Sequence, residues 1–310
     1  MLRHLYFCAP ENLKTPPILL SDSPFPFKNL AQINQEFLRR LGPIWESGEL
    51  QAILKQIWEE VLGKKQMFPF PNEYELTENQ GLWLQNILKR LETNEPLQYI
   101  LEKAYFLNFE IKVNASVLIP RPETEELVLW VLETKSQEEK SVLDLCTGSG
   151  CIALALAKLG KWKNVSGLDI SHSALEIARQ NEIALELSIS WLESNLLQQK
   201  FPSDSKWDIM VSNPPYVLEE EASLMDAHVL QFEPAIALFV PINDPLLFYK
   251  KIVFLATQHL NNGGILFFEL NPIFALEVKS LMENYGFQDV EIKQDMFGKN
   301  RMARGIWSFS

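Results

Sequence analysis

Long apolar runs are missing from this chain. Nowhere in its 310 residues do about twenty consecutive positions stay apolar, as a membrane-spanning helix requires, and residues 1–10 lack the ordered charged, apolar and cleavage regions of a secretory signal. The expectation is a cytoplasmic protein with no membrane partner. Cysteine is scarce as well: Cys8, Cys146 and Cys151 are all there is, and the last two flank a glycine-bearing turn, which argues against a disulfide framework. Four scattered histidines give no cluster with metal-ligand spacing, so no metal is expected. Basic charge is short too. The net charge is -12, and it is uneven: residues 1–100 carry 10 Lys/Arg against 12 Asp/Glu, residues 101–310 carry 18 against 28. Nucleic-acid binding normally relies on Lys/Arg displacing counterions, so the acidic two-thirds disfavours a direct nucleic-acid partner. It suits a basic protein partner, and solubility alone also accounts for part of it. No internal repeat or low-complexity tract is present.

What is there reads as two domains, with 47% hydrophobic residues to fill their cores. Residues 1–28 hold Pro10, Pro16, Pro17, Pro24 and Pro26 and are expected to be irregular. Over residues 29–62, Phe37, Leu38, Leu41, then Leu50, Ile53, Leu54, Ile57, Trp58, Val61 and Leu62 recur at three- and four-residue intervals, predicting amphipathic helix broken at Gly42-Pro43. Thr77 is a plausible N-cap for a further helix to Leu91. Residues 29–102 are therefore expected to form a helical domain that recognises the substrate. Alternation of Tyr105, Leu107, Phe109, Ile111 and Val113 predicts a hairpin strand within a linker, residues 103–120.

From residue 121 to 310 short apolar strands alternate with helices. Strands are predicted at 141–145, 164–168, 189–192, 207–211 and 265–269, helices at 152–158 and 174–183, and a closing antiparallel pair at 290–293 and 305–309. Such alternation predicts an α/β domain with a parallel sheet covered on both faces.

Two strand ends carry chemistry. Val142-Leu143-Asp144-Leu145 runs straight into Cys146-Thr147-Gly148-Ser149-Gly150 and then a helix, so glycines let backbone approach a ligand where the helix offers free N–H donors. The next strand ends at Asp169, about twenty residues past the last glycine, where a carboxylate can accept ribose hydroxyls. This spacing admits a dinucleotide or S-adenosylmethionine, and the incomplete three-glycine fingerprint favours the latter. The second strand end is Asn213-Pro214-Pro215-Tyr216, after Trp207-Asp208-Ile209-Met210-Val211. Two prolines stiffen the turn and hold two acceptors, the Asn213 side chain and the Pro214 carbonyl, at the sheet edge where ligands bind. A planar amide or an exocyclic amine has the two N–H groups to match, and the face of Tyr216 can stack on it.

Five segments carry a resemblance: Asn94-Glu95-Pro96-Leu97-Gln98-Tyr99-Ile100; Ile119-Pro120-Arg121-Pro122-Glu123-Thr124-Glu125; the Asp144-to-Gly150 turn; Val211-Ser212-Asn213-Pro214-Pro215-Tyr216; and Phe232-Glu233-Pro234 with Ala237-Leu238. Over roughly residues 75–305 the chain resembles the N5-glutamine methyltransferases that modify peptide chain release factors. The Asn-Pro-Pro-Tyr element is shared with adenine-N6 methyltransferases; the Ile-Pro-Arg-Pro-Glu-Thr-Glu element is not. The resemblance implies a class I S-adenosylmethionine-dependent methyltransferase fold, Rossmann-like, with a mostly parallel seven-stranded sheet whose last strand is antiparallel, plus the small helical domain. It implies donor binding by Cys146, Thr147, Gly148, Ser149, Gly150, Asp169, Leu196 and Asn213, and glutamine binding by Asn213, Pro214, Pro215 and Tyr216, framed by Arg121, Glu123 and Thr124. It implies methylation of the Gly-Gly-Gln glutamine of class I release factors; a ribosomal protein, or adenine in nucleic acid, is the alternative substrate, and a monomer is expected. Two departures stand out. Ser194-Asn195-Leu196 replaces the family's acidic residue after the third strand, and Asn271-Pro272 follows the 265–269 strand where the family has glycine.

Catalysis of this kind is mainly positioning. An amide nitrogen is a weak nucleophile, and acceptors on its N–H groups both enrich and aim it. Glu123, Glu125 and Glu233 are available carboxylates, for which helix capping or pairing with Arg121 is the expected use.

Overall fold

The computed structural model describes residues 29–63, 74–134, 140–201 and 204–308; the irregular segment expected over residues 1–28 lies outside the described residues. They form two compact units, one ending at Ile100 and one starting at Leu101.

The first unit holds helices α1 (Leu30–Leu41), α2 (Ser47–Leu62) and α3 (Glu78–Glu92), then a single turn at Leu97–Ile100. Asn29 caps α1 by accepting the Gln32 N–H at 3.0 Å, and the break expected at Gly42-Pro43 separates α1 from α2. Thr77 closes a capping box with Gln80 at the start of α3. Leu30, Ile33, Phe37 and Leu41 make one buried stripe along α1; Phe37 packs on Trp58 of α2 with ring centroids 5.5 Å apart. The Trp58 indole is satisfied by Asn34 Oδ1 at 3.1 Å.

The second unit opens on a hairpin, Lys103–Phe106 with Phe109–Lys112. The alternation read through residues 105–113 is broken here. Leu107 and Asn108 both take positive φ, 47° and 67°, and make the two-residue turn, so Tyr105 stays exposed while Phe106, Ile111 and Val113 are buried. The hairpin is tied to the rest of the unit: Glu125 accepts the Leu107 N–H at 2.8 Å, and Asn181 bonds both the N–H and the C=O of Lys112.

The main sheet has seven strands: β1 (Ser141–Leu145), β2 (Asn164–Asp169), β3 (Ser190–Glu193), β4 (Trp207–Ser212), β5 (Leu260–Glu269), β6 (Gln288–Gln294) and β7 (Asn300–Trp307). Their order is β6-β7-β5-β4-β1-β2-β3, and β7 alone runs antiparallel to its neighbours. The fold is therefore the α/β methyltransferase architecture that the resemblance implied. Two strands are longer than their apolar pattern: β5 begins at Leu260 through Gly263 in a positive-φ bend, and β7 begins at Asn300, which pairs with Gln294 of β6, and continues through Arg304, which interrupts the apolar pattern but not the pairing of Met302–Trp307 with β5. Helices α4 (Pro122–Glu133), α5 (Cys151–Gly160), α6 (His172–Ala184), α7 (Leu247–His259) and α8 (Ala275–Asn284) cover the sheet. Adjacent residues of a strand point to opposite faces, so Phe267 against Trp130 of α4 and Phe268 against Tyr249 of α7 place those helices on opposite sides of β5. No described helix is long and apolar enough to cross a membrane, and no group of side chains suited to a metal ion occurs among the described residues.

Candidate active site

The carboxyl ends of β1, β2, β3 and β4 converge on a cavity of about 260 Å³. The β1 turn is built on alternate left-handed residues, Cys146 (φ 62°), Gly148 (φ 55°) and Gly150 (φ 81°). At Gly148 an added Cβ would meet nothing within 4 Å, so its peptide faces open space; at Gly150 it would strike the Trp191 ring at 2.8 Å. Gly150 is thus a packing glycine at the start of α5, whereas Cys146, Thr147, Gly148 and Ser149 line the cavity. Burial raises the Cys146 and Cys151 thiols, the latter to about 12, so neither is a nucleophile at neutral pH.

Asp144, one residue before the end of β1, is fully buried. Its Oδ2 accepts from the Thr147 hydroxyl at 2.5 Å and from the Ala153 N–H at 3.2 Å, while Oδ1 has no partner. Burial pushes this carboxyl up to about 7. At the end of β2, Asp169 Oδ2 accepts the Gly148 N–H and Oδ1 the Ser171 N–H, at 2.8 and 2.9 Å. Each oxygen keeps a lone pair for a ligand, and both atoms belong to a residue on the cavity wall. Burial raises this carboxyl, against the pull of those amides. Asn195, Leu196 and Leu197 follow β3 along the same wall, with the Asn195 side chain accepting the Leu197 N–H at 3.0 Å.

The β4 end is locked to β1 by the Ser212 hydroxyl, which donates to the Leu145 carbonyl at 2.6 Å. Asn213 and Pro215 then enter the cavity wall opposite Asp169's strand, with Thr124 of α4 beside them. Pro214 and Tyr216 are not on that wall. Pro214 is buried, and the Tyr216 hydroxyl donates to Glu269 Oε1 at 3.0 Å, where burial holds the phenol well above its ordinary range. Arg121 is also off the wall: its guanidinium pairs with fully buried Glu233 at 2.5 Å, and Glu233 takes the Ile119 N–H with its other oxygen. This pair fastens the segment before α4 to the segment holding Pro234, Ile236 and Ala237, which closes the cavity. Glu123 sits half-buried in the first turn of α4, where its charge acts on Glu269 and Arg301.

Sequence reasoning passed over Asp144, Glu269 and Trp191. A carboxylate at or next to the end of an apolar strand run was the available signal for the first two. For Trp191 the signal was Gly167 in mid-strand, where a Cβ would meet the Trp191 ring at 2.5 Å.

A family model described as Methyltransferase small domain matches residues 123–234. The Release factor glutamine methyltransferase of Flavobacterium psychrophilum is 38% identical over 274 residues, covering 87% of this chain and 96% of that one. The protein of the same name from Bacteroides thetaiotaomicron is 42% identical over 71% of this chain and 78% of its own. Among solved structures, the hMettl16 catalytic domain in complex with the MAT2A 3′UTR hairpin 6 aligns over 84% of this chain and 92% of that one at 16% identity with a TM-score of 0.54, which is a likeness of fold.

Proposed function

The chain belongs to the release factor glutamine methyltransferases, and on that premise we propose that it moves a methyl group from S-adenosylmethionine to the side-chain nitrogen of the glutamine in the Gly-Gly-Gln loop of a class I peptide chain release factor. It does so as a cytoplasmic monomer, with the helical residues 29–102 recognising the protein substrate. The observation that carries the reading is one cavity bearing a ribose-type acceptor, Asp169, on one strand end and an amide-type acceptor, Asn213, on another.

The donor fits what lines the cavity. Asp169 has a free lone pair on each oxygen for two vicinal hydroxyls; Ile170, Leu196 and Leu197 offer apolar surface for a flat base; Gly148 leaves backbone open to a close approach. Asn195, in place of a carboxylate, meets the base as a neutral amide. When bound, S-adenosylmethionine supplies a methyl carbon made electrophilic by its sulfonium. The protein's part is to hold the glutamine nitrogen against that carbon: Asn213 Oδ1 accepts one N–H at the cavity wall, and the carbonyl of Pro214, whose neighbours Asn213 and Pro215 both line that wall, accepts the other, while Pro215 and Tyr216 keep the turn rigid. Arg121 holds the closing segment through Glu233, and Glu123 adds negative charge beside the same wall. No general base is needed, because the methylated amide becomes acidic as the bond forms and releases its proton to water.

An exocyclic adenine amine would satisfy the same two acceptors. The deficit of basic side chains over residues 101–310 weighs against a phosphate-bearing substrate. The test is incubation with tritiated methyl donor and purified release factor, its Gln→Glu variant, or duplex DNA. Label on the unmodified release factor alone is expected, since a carboxylate has no N–H to donate and would face two acceptors. Equal labelling of the variant, or labelling of DNA, would overturn the assignment.

A further inference from the structure

Asn213 is useful only if its side-chain amide faces the right way. With Oδ1 toward the cavity it accepts a substrate N–H; turned by 180° it presents Nδ2–H₂ and repels that same group. Nothing in the Asn-Pro-Pro-Tyr element itself chooses between the two, since the two faces have nearly the same shape. The choice is made outside the element, by two polar groups, the Thr124 hydroxyl and the Glu269 carboxylate.

The Thr124 hydroxyl lies between Asn213 and Glu269. It donates to Glu269 Oε2 at 2.6 Å and receives the Asn213 Nδ2–H at 3.2 Å. A hydroxyl has one proton. Once that proton is committed to Glu269, Thr124 can only accept on its other side, and only Nδ2 of Asn213 can face it; Oδ1 is left for the cavity. The other Glu269 oxygen takes the Tyr216 hydroxyl at 3.0 Å, so one carboxylate sets the polarity of both walls of the turn. Glu269 is 1% exposed at the end of β5, and its backbone carbonyl is held by the Tyr249 hydroxyl at 3.2 Å, which leaves the side chain little freedom to serve anything else. Burial raises the Glu269 carboxyl, and the two hydroxyl donors, one on each oxygen, and the positive charge of Arg301 pull the other way, towards the ionised form that accepts both.

We infer that Glu269 is a positioning residue for methyl transfer: through the Thr124 hydroxyl it fixes the Asn213 amide with its oxygen toward the substrate. The inference rests on the amide substrate proposed above. It also accounts for Thr124, whose hydroxyl a mere helix residue would not require.

The experiment measures turnover on release factor and calorimetric donor affinity for Thr124→Val, Thr124→Ser and Glu269→Gln, with Thr124→Val repeated in an Asn213→Ala background. Valine keeps the volume and removes the relay. It should lower kcat by about tenfold or more with donor affinity within threefold, by the size of one lost transition-state contact. Serine restores the hydroxyl and should recover kcat to within about threefold of wild type. Glutamine offers one acceptor oxygen instead of two, so either Thr124 or Tyr216 must reverse; reversal of Thr124 turns the Asn213 amide and lowers kcat, and reversal of Tyr216 leaves the relay to Asn213 intact. Without the Asn213 amide there is nothing to orient, so Thr124→Val should cost nothing further in that background. Thermal denaturation checks that each variant is folded. A fully active Thr124→Val enzyme overturns the positioning role while leaving the functional reading intact. So does a loss that is additive in the Asn213→Ala background, or matched by lost donor affinity. Wild-type protein that transfers no methyl group to release factor sinks the functional reading, and the inference with it.

Discussion

Asp169 Oδ2 accepts the N–H of Gly148 at 2.8 Å, so the carboxylate closing β2 is tied to the turn that follows β1. The same bond that shapes the turn holds Asp169 on the cavity wall, with lone-pair capacity left on each oxygen. Asp169→Ala should weaken S-adenosylmethionine binding about tenfold or more, since a charge-assisted hydrogen bond is worth about 1.5–3 kcal/mol. Calorimetric titration reads this directly. Unchanged affinity in a folded variant would remove Asp169 from the donor site.

Asn213→Ala should separate donor binding from transfer. Asn213 is assigned to the reacting amide more than to the donor, so donor affinity should stay within about threefold while kcat falls on the order of a hundredfold, as for loss of one preorganised polar contact. A fall in donor affinity as large as the fall in kcat refutes that division of labour.

Arg121→Ala should destabilise the protein. It leaves Glu233, whose side chain is fully buried, with the Ile119 N–H as its remaining donor. Removing one partner of a buried pair costs about 3–5 kcal/mol, and the lower end applies here because Arg121 is itself partly exposed. Urea denaturation measures the loss, and Arg121→Lys should show a smaller one. A change below about 0.5 kcal/mol, the range of ordinary surface substitutions, would mean the pair contributes nothing to the fold.

Asp144 should leave a mark on the pH dependence of stability. Its carboxyl is pushed up to about 7 in the folded protein against an ordinary value of 3.8, so the folded state retains a proton that the unfolded chain loses. The contribution of this group is therefore fully present below about pH 4 and lost as pH rises toward 7. Asp144→Asn mimics the protonated acid, keeping one oxygen for Thr147 and Ala153. Its unfolding free energy, measured by denaturant titration across pH 4 to 7, should gain on wild type as pH rises. Parallel curves would show that Asp144 titrates normally.

The sequence by itself determined the class of fold, the order of its elements and the two strand ends that carry the chemistry. Those features are local: apolar runs of strand length separated by helical periodicity, glycines after β1, Asp169 after β2, and Asn213-Pro214-Pro215-Tyr216 after β4. A strand of period two or a helix of period 3.6 writes its pattern into adjacent residues, and the ligand edge of a parallel sheet follows from where its strands end. Only the tertiary structure decided which of the polar residues meet. Glu233 finds Arg121 across 112 positions and Glu269 finds Thr124 across 145, separations at which no sequence pattern specifies a partner. It also decided that Leu107 and Asn108 turn the chain where alternation ran on, and that Gly150 and Gly167 make room for Trp191. Burial is the reason. A carboxylate withdrawn from water must be met by donors, and which donors are within reach depends on the packing of α4 against β5 rather than on any neighbour in the chain.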